Sequence, residues 1–208
     1  MRKSLIICIL LINLTITMGF KALVICGPSG VGKGTIIGSI LKKFNDKVAL
    51  SVSHTTRNPR EGESNGIHYH FVTEDVMLKG IKDNLFLEHA KVHNHLYGTS
   101  RTSIDTIIES KRIPILDVDT LGVLSIKKKK FPANYVFIRP PSIEVLERRL
   151  RYRGTESEPQ LLLRLANAKR EMDYGTEKNF DLVLENDKLD DTVKNLHTVM
   201  STWYPQIE

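Results

Sequence analysis

Short apolar runs alternate with segments of helical periodicity along most of this chain. The apolar runs are rich in Val, Ile and Leu, which is typical of parallel strands that are covered on both faces. They predict strands at 21–26, 48–52, 112–118, 135–138 and 182–184. Apolar residues at helical spacing predict helices at 35–44, 102–110, 159–174 and 189–200, and a further helix that begins after the N-cap Ser142.

Residues 53–99 have a different pattern. A polar stretch with Gly and Pro at 53–66 is followed by predicted strands at 67–72, 85–92 and 96–99 and by a predicted helix at 74–84. Strands alternate with helices on both sides of this region. We therefore expect an α/β fold with a parallel sheet flanked by helices and a small, locally β-rich antiparallel insertion.

The first 17 residues form an apolar extension. Arg2 and Lys3 precede an apolar run at 5–17, which is short for a transmembrane helix and has the form of a secretory signal peptide. An internal start at Met18 would leave the following domain whole. The sequence leaves open a dispensable or misassigned extension, a targeting segment and a membrane anchor. We expect the remainder to be cytoplasmic, without stable membrane association.

Composition adds two constraints. The chain has 208 residues, 41% of them hydrophobic, which is enough for one domain with a packed core, and its net charge of +6 indicates an anionic partner. Phosphate groups bound at the motifs described below account for that charge, and no aromatic stacking platform for nucleic acid is evident. The basic run at 127–130 is expected to be a solvated helix end or turn. Cys8 and Cys26 imply neither a disulfide scaffold nor a metal site, and Cys26 is expected to be buried.

A glycine-rich loop joins the first predicted strand to the first predicted helix. Glycines let the backbone turn its N–H groups toward phosphate oxygens at the start of a helix, and a lysine there places charge between the β- and γ-phosphates. The loop therefore predicts ATP binding. Gly34 stands where Ser or Thr normally supplies a hydroxyl to Mg²⁺, so the magnesium ligand stays open here. The predicted ATP-binding residues are Gly27, Pro28, Ser29, Gly30, Val31, Gly32, Lys33, Gly34 and Thr35.

Five further segments follow this loop in order. They are SVSHTTRNPREGE at 51–63, NGIHYHFV at 65–72, FLEHAKVHNHLYGTS at 86–100, ILDVDTLG at 115–122 and RGTESE at 153–158. Together they resemble the guanylate kinase family of P-loop nucleoside monophosphate kinases over residues 18–208. The resemblance implies a P-loop kinase core, a β-rich GMP-binding insertion at 53–99 and a helical lid at 149–164. It also implies transfer of the γ-phosphoryl group of ATP to GMP and dGMP, in purine metabolism, with Mg²⁺.

The resemblance also implies roles for single residues. Glu88 would accept hydrogen bonds from N1–H and the N2 amino group of guanine, whereas adenine would present a lone pair at N1. The expected GMP-binding residues are Ser53, Arg57, Arg60, Tyr69, Glu88, Tyr97, Thr99, Asp119 and Arg149, with the arginines 57 and 60 and the two tyrosines on the phosphate. The expected catalytic cations are Lys33, Arg60, Arg153 and Arg164, and Asn186 and Asp187 match the adenine-side loop.

An acidic strand end completes the predicted site. Asp117 and Asp119 end the strand at 112–118, and ligands in open α/β sheets lie outside the carboxyl ends of strands. Alternation would send both side chains to one face, so we expect Asp117 to hold Mg²⁺ or its water shell. Arg149 and Arg153 lie one helical turn apart, and Gly154 ends that helix before Arg164.

Other interpretations stay open from the sequence. Six histidines cluster in the insertion, and we expect solvated side chains rather than a metal site there. The histidines are His54, His68, His70, His89, His93 and His95.

Two alternative functions also stay open: another nucleoside monophosphate kinase, and a catalytically inactive guanylate-kinase-like interaction module. The complete P-loop and arginine set favours the enzyme. The protein is expected to be a monomer or a weak dimer.

Overall fold

The computed structural model describes residues 21–92, 94–154 and 157–207. The predicted extension at 1–17, His93 and the lid residues Thr155 and Glu156 lie outside these ranges. The strands are β1 (Ala22–Cys26), β2 (Val48–Leu50), β3 (His54–Thr55), β4 (His70–Phe71), β5 (Phe86–Val92), β6 (His95–Ser100), β7 (Ile113–Asp117), β8 (Ala133–Arg139) and β9 (Leu182–Glu185). The helices are α1 (Lys33–Lys43), α2 (Glu74–Lys82), α3 (Arg101–Glu109), α4 (Thr120–Lys128), α5 (Ile143–Arg153), α6 (Glu158–Tyr174) and α7 (Leu189–Trp203), followed by a 3-10 turn at Pro205–Ile207.

A parallel sheet of five strands forms the centre of the molecule. Its strand order is β2-β7-β1-β8-β9, and every residue of the central strand β1 is buried. One face of the sheet packs against α1, α5, α6 and α7, and the other face packs against α3 and α4. Coverage on both faces explains why these strands are largely apolar. The predicted α/β class, with a parallel sheet flanked by helices, is confirmed.

The insertion forms a second sheet, in the order β4-β3-β6-β5. Strands β5 and β6 form an antiparallel pair that sets Glu88 opposite Thr99. Strand β3 is antiparallel to β6 but parallel to β4, so the expectation of an antiparallel insertion is correct only in part. The strand predicted at 67–72 shortens to two residues, because His68 lies in a turn where its Nδ1 accepts a hydrogen bond from the Ser64 N–H at 3.0 Å.

Helix starts depend on side-chain caps. The Ser142 hydroxyl accepts a hydrogen bond from the Val145 N–H at 3.3 Å, which confirms the predicted cap of α5. Helix α4 was not predicted, and it begins where the Asp119 carboxylate accepts the Gly122 N–H at 2.7 Å. No helix within the described ranges is long and apolar enough to cross a membrane.

Candidate active site

A cleft opens beside the carboxyl ends of β1 and β7, between the parallel sheet and the insertion sheet. It has about 890 Å³ of empty space. Residues from the glycine-rich loop, both sheets and α6 meet in it, as the rule for open α/β sheets predicts. Half of the residues that were predicted to bind the two nucleotides lie along its walls, together with Asp117 and Arg164. The predicted residues that line it are Gly27, Ser29, Lys33, Ser53, Arg57, Arg60, Tyr69, Glu88, Tyr97, Asp117, Asp119 and Arg164.

The glycine-rich loop fits tightly against the rest of the core. Gly27 has φ 150°, and a Cβ there would lie 2.2 Å from the Ile138 carbonyl oxygen. Gly32 is the left-handed N-cap of α1 with φ 104°, and a Cβ there would lie 2.7 Å from Asn186 Nδ2. Side chains are excluded at both positions, so the backbone can approach a phosphate closely.

Lys33 is the first residue of α1 and its side chain folds back over the loop. Its Nζ donates to the Gly27 carbonyl at 2.7 Å and lies 3.8 Å from Asp117 Oδ1. Burial raises the pKa of Asp117, and Lys33 opposes that rise. Gly34 and Thr35 lie on the exposed side of the first turn of α1. Asp117, at the end of β7, offers a carboxylate beside the loop.

Glu88 supplies the buried carboxylate of the insertion. Its exposed fraction is 4%, and Thr99 donates its hydroxyl to Oε1 at 2.5 Å, while Ser53 lies 3.4 Å from that hydroxyl. Burial raises the pKa of Glu88 to about 7, with a further rise from Asp119 and an opposing effect of the Thr99 hydrogen bond. A carboxylate this poorly solvated needs hydrogen-bond donors to be charged.

Gly122 in the first turn of α4 makes room for Glu88. A Cβ at this glycine would lie 2.9 Å from Glu88 Oε2 and 3.3 Å from Asp119 Oδ1. The two carboxyl groups therefore approach the same turn of the helix. Asp119 has two functions in this geometry, because it caps α4 with Oδ1 and also faces the cleft.

The arginine loop forms a cationic wall. Arg57 is buried, and its guanidinium lies over the rings of Tyr69 and Phe71, at 5.0 and 5.5 Å from their centroids. The Tyr69 and Tyr97 rings pack edge to face at 5.9 Å. Burial raises the pKa of Tyr69, which keeps its hydroxyl protonated and able to donate at neutral pH. Arg60, on the same loop, is half-buried and lines the cleft.

One face of α6 closes the remaining side of the cleft. Arg164 donates its Nη1 to the Ser29 hydroxyl at 2.5 Å, so this arginine of the predicted lid contacts the glycine-rich loop. Asn167 and Glu171 follow on the same face and also line the cleft, and neither was predicted. Their spacing of three and seven residues after Arg164 was a usable signal. Burial raises the pKa of Glu171, and Lys33 lowers it.

Asn186, Asp187 and Arg149 lie on the far side of the glycine-rich loop. Asn186 Nδ2 donates to the Val31 carbonyl at 2.7 Å, and this hydrogen bond connects the loop after β9 to the glycine-rich loop. Arg149 donates to the carbonyls of Asn186 and Asp187 at 2.8 and 3.4 Å. Arg149 was predicted among the GMP-binding residues. It does not line the cleft, and these contacts place it beside Asn186 and Asp187, which were predicted to bind ATP.

Arg153 and Gly98 lie in contrasting surroundings, the first exposed and the second buried. Arg153 is exposed at the end of α5, where Gly154 forms a left-handed C-cap with φ 67°. A Cβ at Gly98 would lie 2.7 Å from the Met77 Cε and 2.9 Å from the Phe86 Cδ1. Close packing over β6, rather than backbone rotation, explains this glycine.

The basic run at 127–130 is not wholly solvated. Lys127 donates to the Asn179 carbonyl and lies 4.6 Å from the Tyr135 ring centroid, and Lys129 donates to the Leu87 carbonyl. In the described part of the chain, no three His, Cys, Asp or Glu side chains form a group that could hold a metal ion. The His54 ring packs on that of His70, with centroids 4.6 Å apart.

Comparison with known proteins agrees with this geometry. The family model described as "Guanylate kinase" matches residues 19–203. "Guanylate kinase 1" of Arabidopsis thaliana is 47% identical over 181 residues, which are 86% of this chain and 47% of that protein. The Schizosaccharomyces pombe "Guanylate kinase" is 44% identical over 185 residues, which are 88% of this chain and 92% of that protein.

Solved structures agree as well. The crystal structure of guanylate kinase from Anaplasma phagocytophilum superposes with a TM-score of 0.68 at 25% identity, covering 88% of this chain and 85% of that one. The chain spans about half the length of the plant relative and nearly all of the fission-yeast relative. The matched range includes the glycine-rich loop, the arginine loop and the predicted lid. This chain belongs to the guanylate kinase family.

Proposed function

We propose that this protein transfers the γ-phosphoryl group of ATP to GMP. The observation that carries the proposal is the buried Glu88 carboxylate in the same cleft as the P-loop lysine Lys33. The first group selects a base that offers two neighbouring hydrogen-bond donors, and the second binds a triphosphate. Together they define an acceptor and a donor for one reaction.

Guanine would bind at the insertion end of the cleft. Glu88 accepts N1–H and the N2 amino group, and each bond satisfies a buried charge that has little water around it. Ser53, Thr99 and Asp119 surround the same carboxylate. Adenine at this position would leave the carboxylate facing the N1 lone pair, so the site discriminates by leaving a buried polar group unpaired.

The phosphate of GMP would bind between Arg57, Arg60 and the hydroxyls of Tyr69 and Tyr97. Two arginines offer paired donors to phosphate oxygens, and two phenol hydroxyls add single donors. This arrangement fixes the acceptor oxygen in front of the glycine-rich loop. Positioning of that kind is a large part of catalysis in phosphoryl transfer, because the transition state needs little covalent help from the protein.

The triphosphate would lie in the glycine-rich loop. Lys33 must leave the Gly27 carbonyl to contact the β- and γ-phosphates, and Arg164, already on Ser29, adds charge to the transferring group. Asn186 holds the backbone of this loop from the other side. Asp187 and Arg149 then belong to the wall near the adenine of ATP.

Magnesium fits the same corner of the cleft. The Asp117 carboxylate offers the hard oxygen ligand that Mg²⁺ prefers, beside the loop that would bring phosphate oxygens and water. Asp117 would hold the ion or its water shell, and the bound ion would neutralise charge on the phosphates. Because Gly34 offers no hydroxyl to Mg²⁺, the Asp117 carboxylate is the better candidate for the magnesium ligand. No residue change at Lys33, Arg57 or Arg60 favours the inactive alternative.

A coupled assay with four acceptors tests the proposal. GMP, AMP, dTMP and UMP are supplied in turn with ATP and Mg²⁺, and the production of ADP is recorded. We expect turnover with GMP and at least about a hundredfold lower kcat/KM with the other three, since buried polar mismatches discriminate strongly. Equal use of AMP, or no turnover with GMP, would refute the assignment.

A further inference from the structure

A single carboxylate organises the arginine loop. Glu63 accepts two hydrogen bonds from Arg57, from Nη1 to Oε2 at 2.6 Å and from Nη2 to Oε1 at 2.8 Å. Its Oε2 also accepts the backbone N–H of Arg60 at 2.7 Å. Gly62, with φ 80°, turns the chain back so that Glu63 meets both arginines. The carboxylate of Glu63 thus holds the side chain of Arg57 and the backbone of Arg60, the two arginines that would bind the phosphate.

The pair leaves a defined edge of Arg57 for a ligand. A guanidinium has five N–H donors arranged as a planar fork. Nη1 uses both of its hydrogens, on Glu63 and on the Asn58 carbonyl at 2.8 Å, and Nη2 uses one on Glu63. The Nε–H and the second Nη2–H lie on the other edge, where two parallel donors match a phosphate. The Tyr97 phenol hydrogen-bonds with the same guanidinium, so a phosphate would share Arg57 with this hydroxyl.

Packing removes the remaining freedom of this side chain. Only 9% of the Arg57 side chain and 17% of the Glu63 side chain are exposed, and the guanidinium lies over two aromatic rings. The Arg57 hydrogen bond lowers the pKa of Glu63 to about 2, so this carboxylate stays charged at any pH used for an assay. The pair is therefore a permanent part of the cleft wall.

We infer that Glu63 is the positioning residue of the acceptor-phosphate site, which orients the edge of Arg57 that Glu63 does not occupy toward the phosphate of the bound nucleotide. The inference rests on the proposed function. It predicts that removing the charge of Glu63 changes phosphate binding in the direction opposite to that expected from electrostatics alone. Removing a negative charge next to a phosphate site should strengthen phosphate binding through Coulomb's law, whereas loss of orientation should weaken it. The sign of the change therefore decides between the two.

The test compares Glu63→Gln with Glu61→Gln. Both variants remove one negative charge from the same loop, but Glu61 is exposed. We expect Glu63→Gln to raise the KM for GMP about tenfold, as loss of one oriented bidentate contact would, with kcat and the KM for ATP within about twofold of the parent. Glu61→Gln should leave all three values within about twofold. Competition binding should show weaker binding of GMP and unchanged binding of guanosine, which lacks the phosphate.

A double-mutant cycle keeps the inference falsifiable. In the background of Arg57→Ala, Glu63→Gln should lose its effect on GMP binding or reverse it, because Glu63 acts through the arginine. Glu63→Asp, which keeps the carboxylate, should recover part of the loss. Tighter or unchanged GMP binding by a folded Glu63→Gln, or equal weakening of guanosine, would overturn the inference. A parent that neither binds nor phosphorylates GMP would instead contradict the proposed function.

Discussion

Replacing Glu88 by Gln should stabilise the protein while it abolishes the use of GMP. The carboxyl group is 4% exposed, and burial raises its pKa from an ordinary value of 4.5 to about 7. Gln has the same shape and its Oε1 can still accept the Thr99 hydroxyl, but it carries no charge. The variant therefore removes the cost of ionising a buried acid and leaves the packing intact.

The sign and size follow from the pKa shift. A carboxyl group whose folded pKa lies above its unfolded value contributes its full stability below about pH 4.5, and this contribution is lost as the pH rises through about 7. A shift from 4.5 to about 7 corresponds to about 3 kcal/mol at 1.36 kcal/mol for each pH unit. For a chain of this length, that energy corresponds to a rise of roughly 6–12 °C in Tm at pH 8.

Thermal unfolding of parent and variant at pH 5 and pH 8 provides the measurement. We expect Glu88→Gln to melt higher at pH 8 and close to the parent at pH 5. Glu177→Gln, which removes an exposed carboxylate, is the control for the change in net charge. The same Tm difference at both pH values would refute the reasoning. In the parent, the affinity for GMP should fall about tenfold for each pH unit below about 7, because guanine needs the ionised form.

Four further predictions follow from the cleft. Lys33→Ala should lower kcat by at least about a hundredfold with an unchanged circular dichroism spectrum. A loss of less than about tenfold would contradict the assignment of the triphosphate site to the loop that carries Lys33. Arg60→Ala should weaken GMP much more than ATP in calorimetry, and equal weakening would count against an acceptor-side role. A chain that begins at Met18 should turn over GMP like the full chain in the coupled assay, and loss of activity would make the extension part of the domain. Arg153 is exposed at the end of α5, so this end of the helix must move for the arginine to reach the transferring phosphoryl group. The distance between probes on the insertion and on α5 should therefore shorten when GMP and a non-hydrolysable ATP analogue bind, and an unchanged distance would exclude closure.

Sequence patterns predicted the parallel sheet well because its strands are buried on both faces. Largely apolar runs such as 112–118 leave few alternatives, and the observed β7 at Ile113–Asp117 lies within that run. Helix α4 was missed because Thr120, Gly122 and Ser125 have low helix propensity. Its stability comes from tertiary packing of Val123 and Ile126, which local propensity does not reveal.

The candidate site shows the same division. Motifs placed Lys33, Arg57 and Glu88 in order along the chain, and all three line one cleft. Motifs did not show that Glu63 pairs with Arg57, because an acidic residue near an arginine on a loop is usually solvated. The contacts of Arg149 with the carbonyls of Asn186 and Asp187 were also not evident from the sequence. Helical spacing gives the face on which a side chain lies, and only the fold shows that Asn186 faces it.

Charge is divided along the cleft in a way that fixes the orientation of a nucleotide. Glu88 and Asp119 lie at the first turn of α4, where the donors of guanine would meet them. Arg57 and its aromatic neighbours form a separate wall, at which a phosphate dianion would bind. A reversed nucleotide would set its phosphate against two carboxylates and leave the base donors against an arginine. Repulsion in a poorly solvated cleft is costly, so the acceptor oxygen can reach the glycine-rich loop in one orientation.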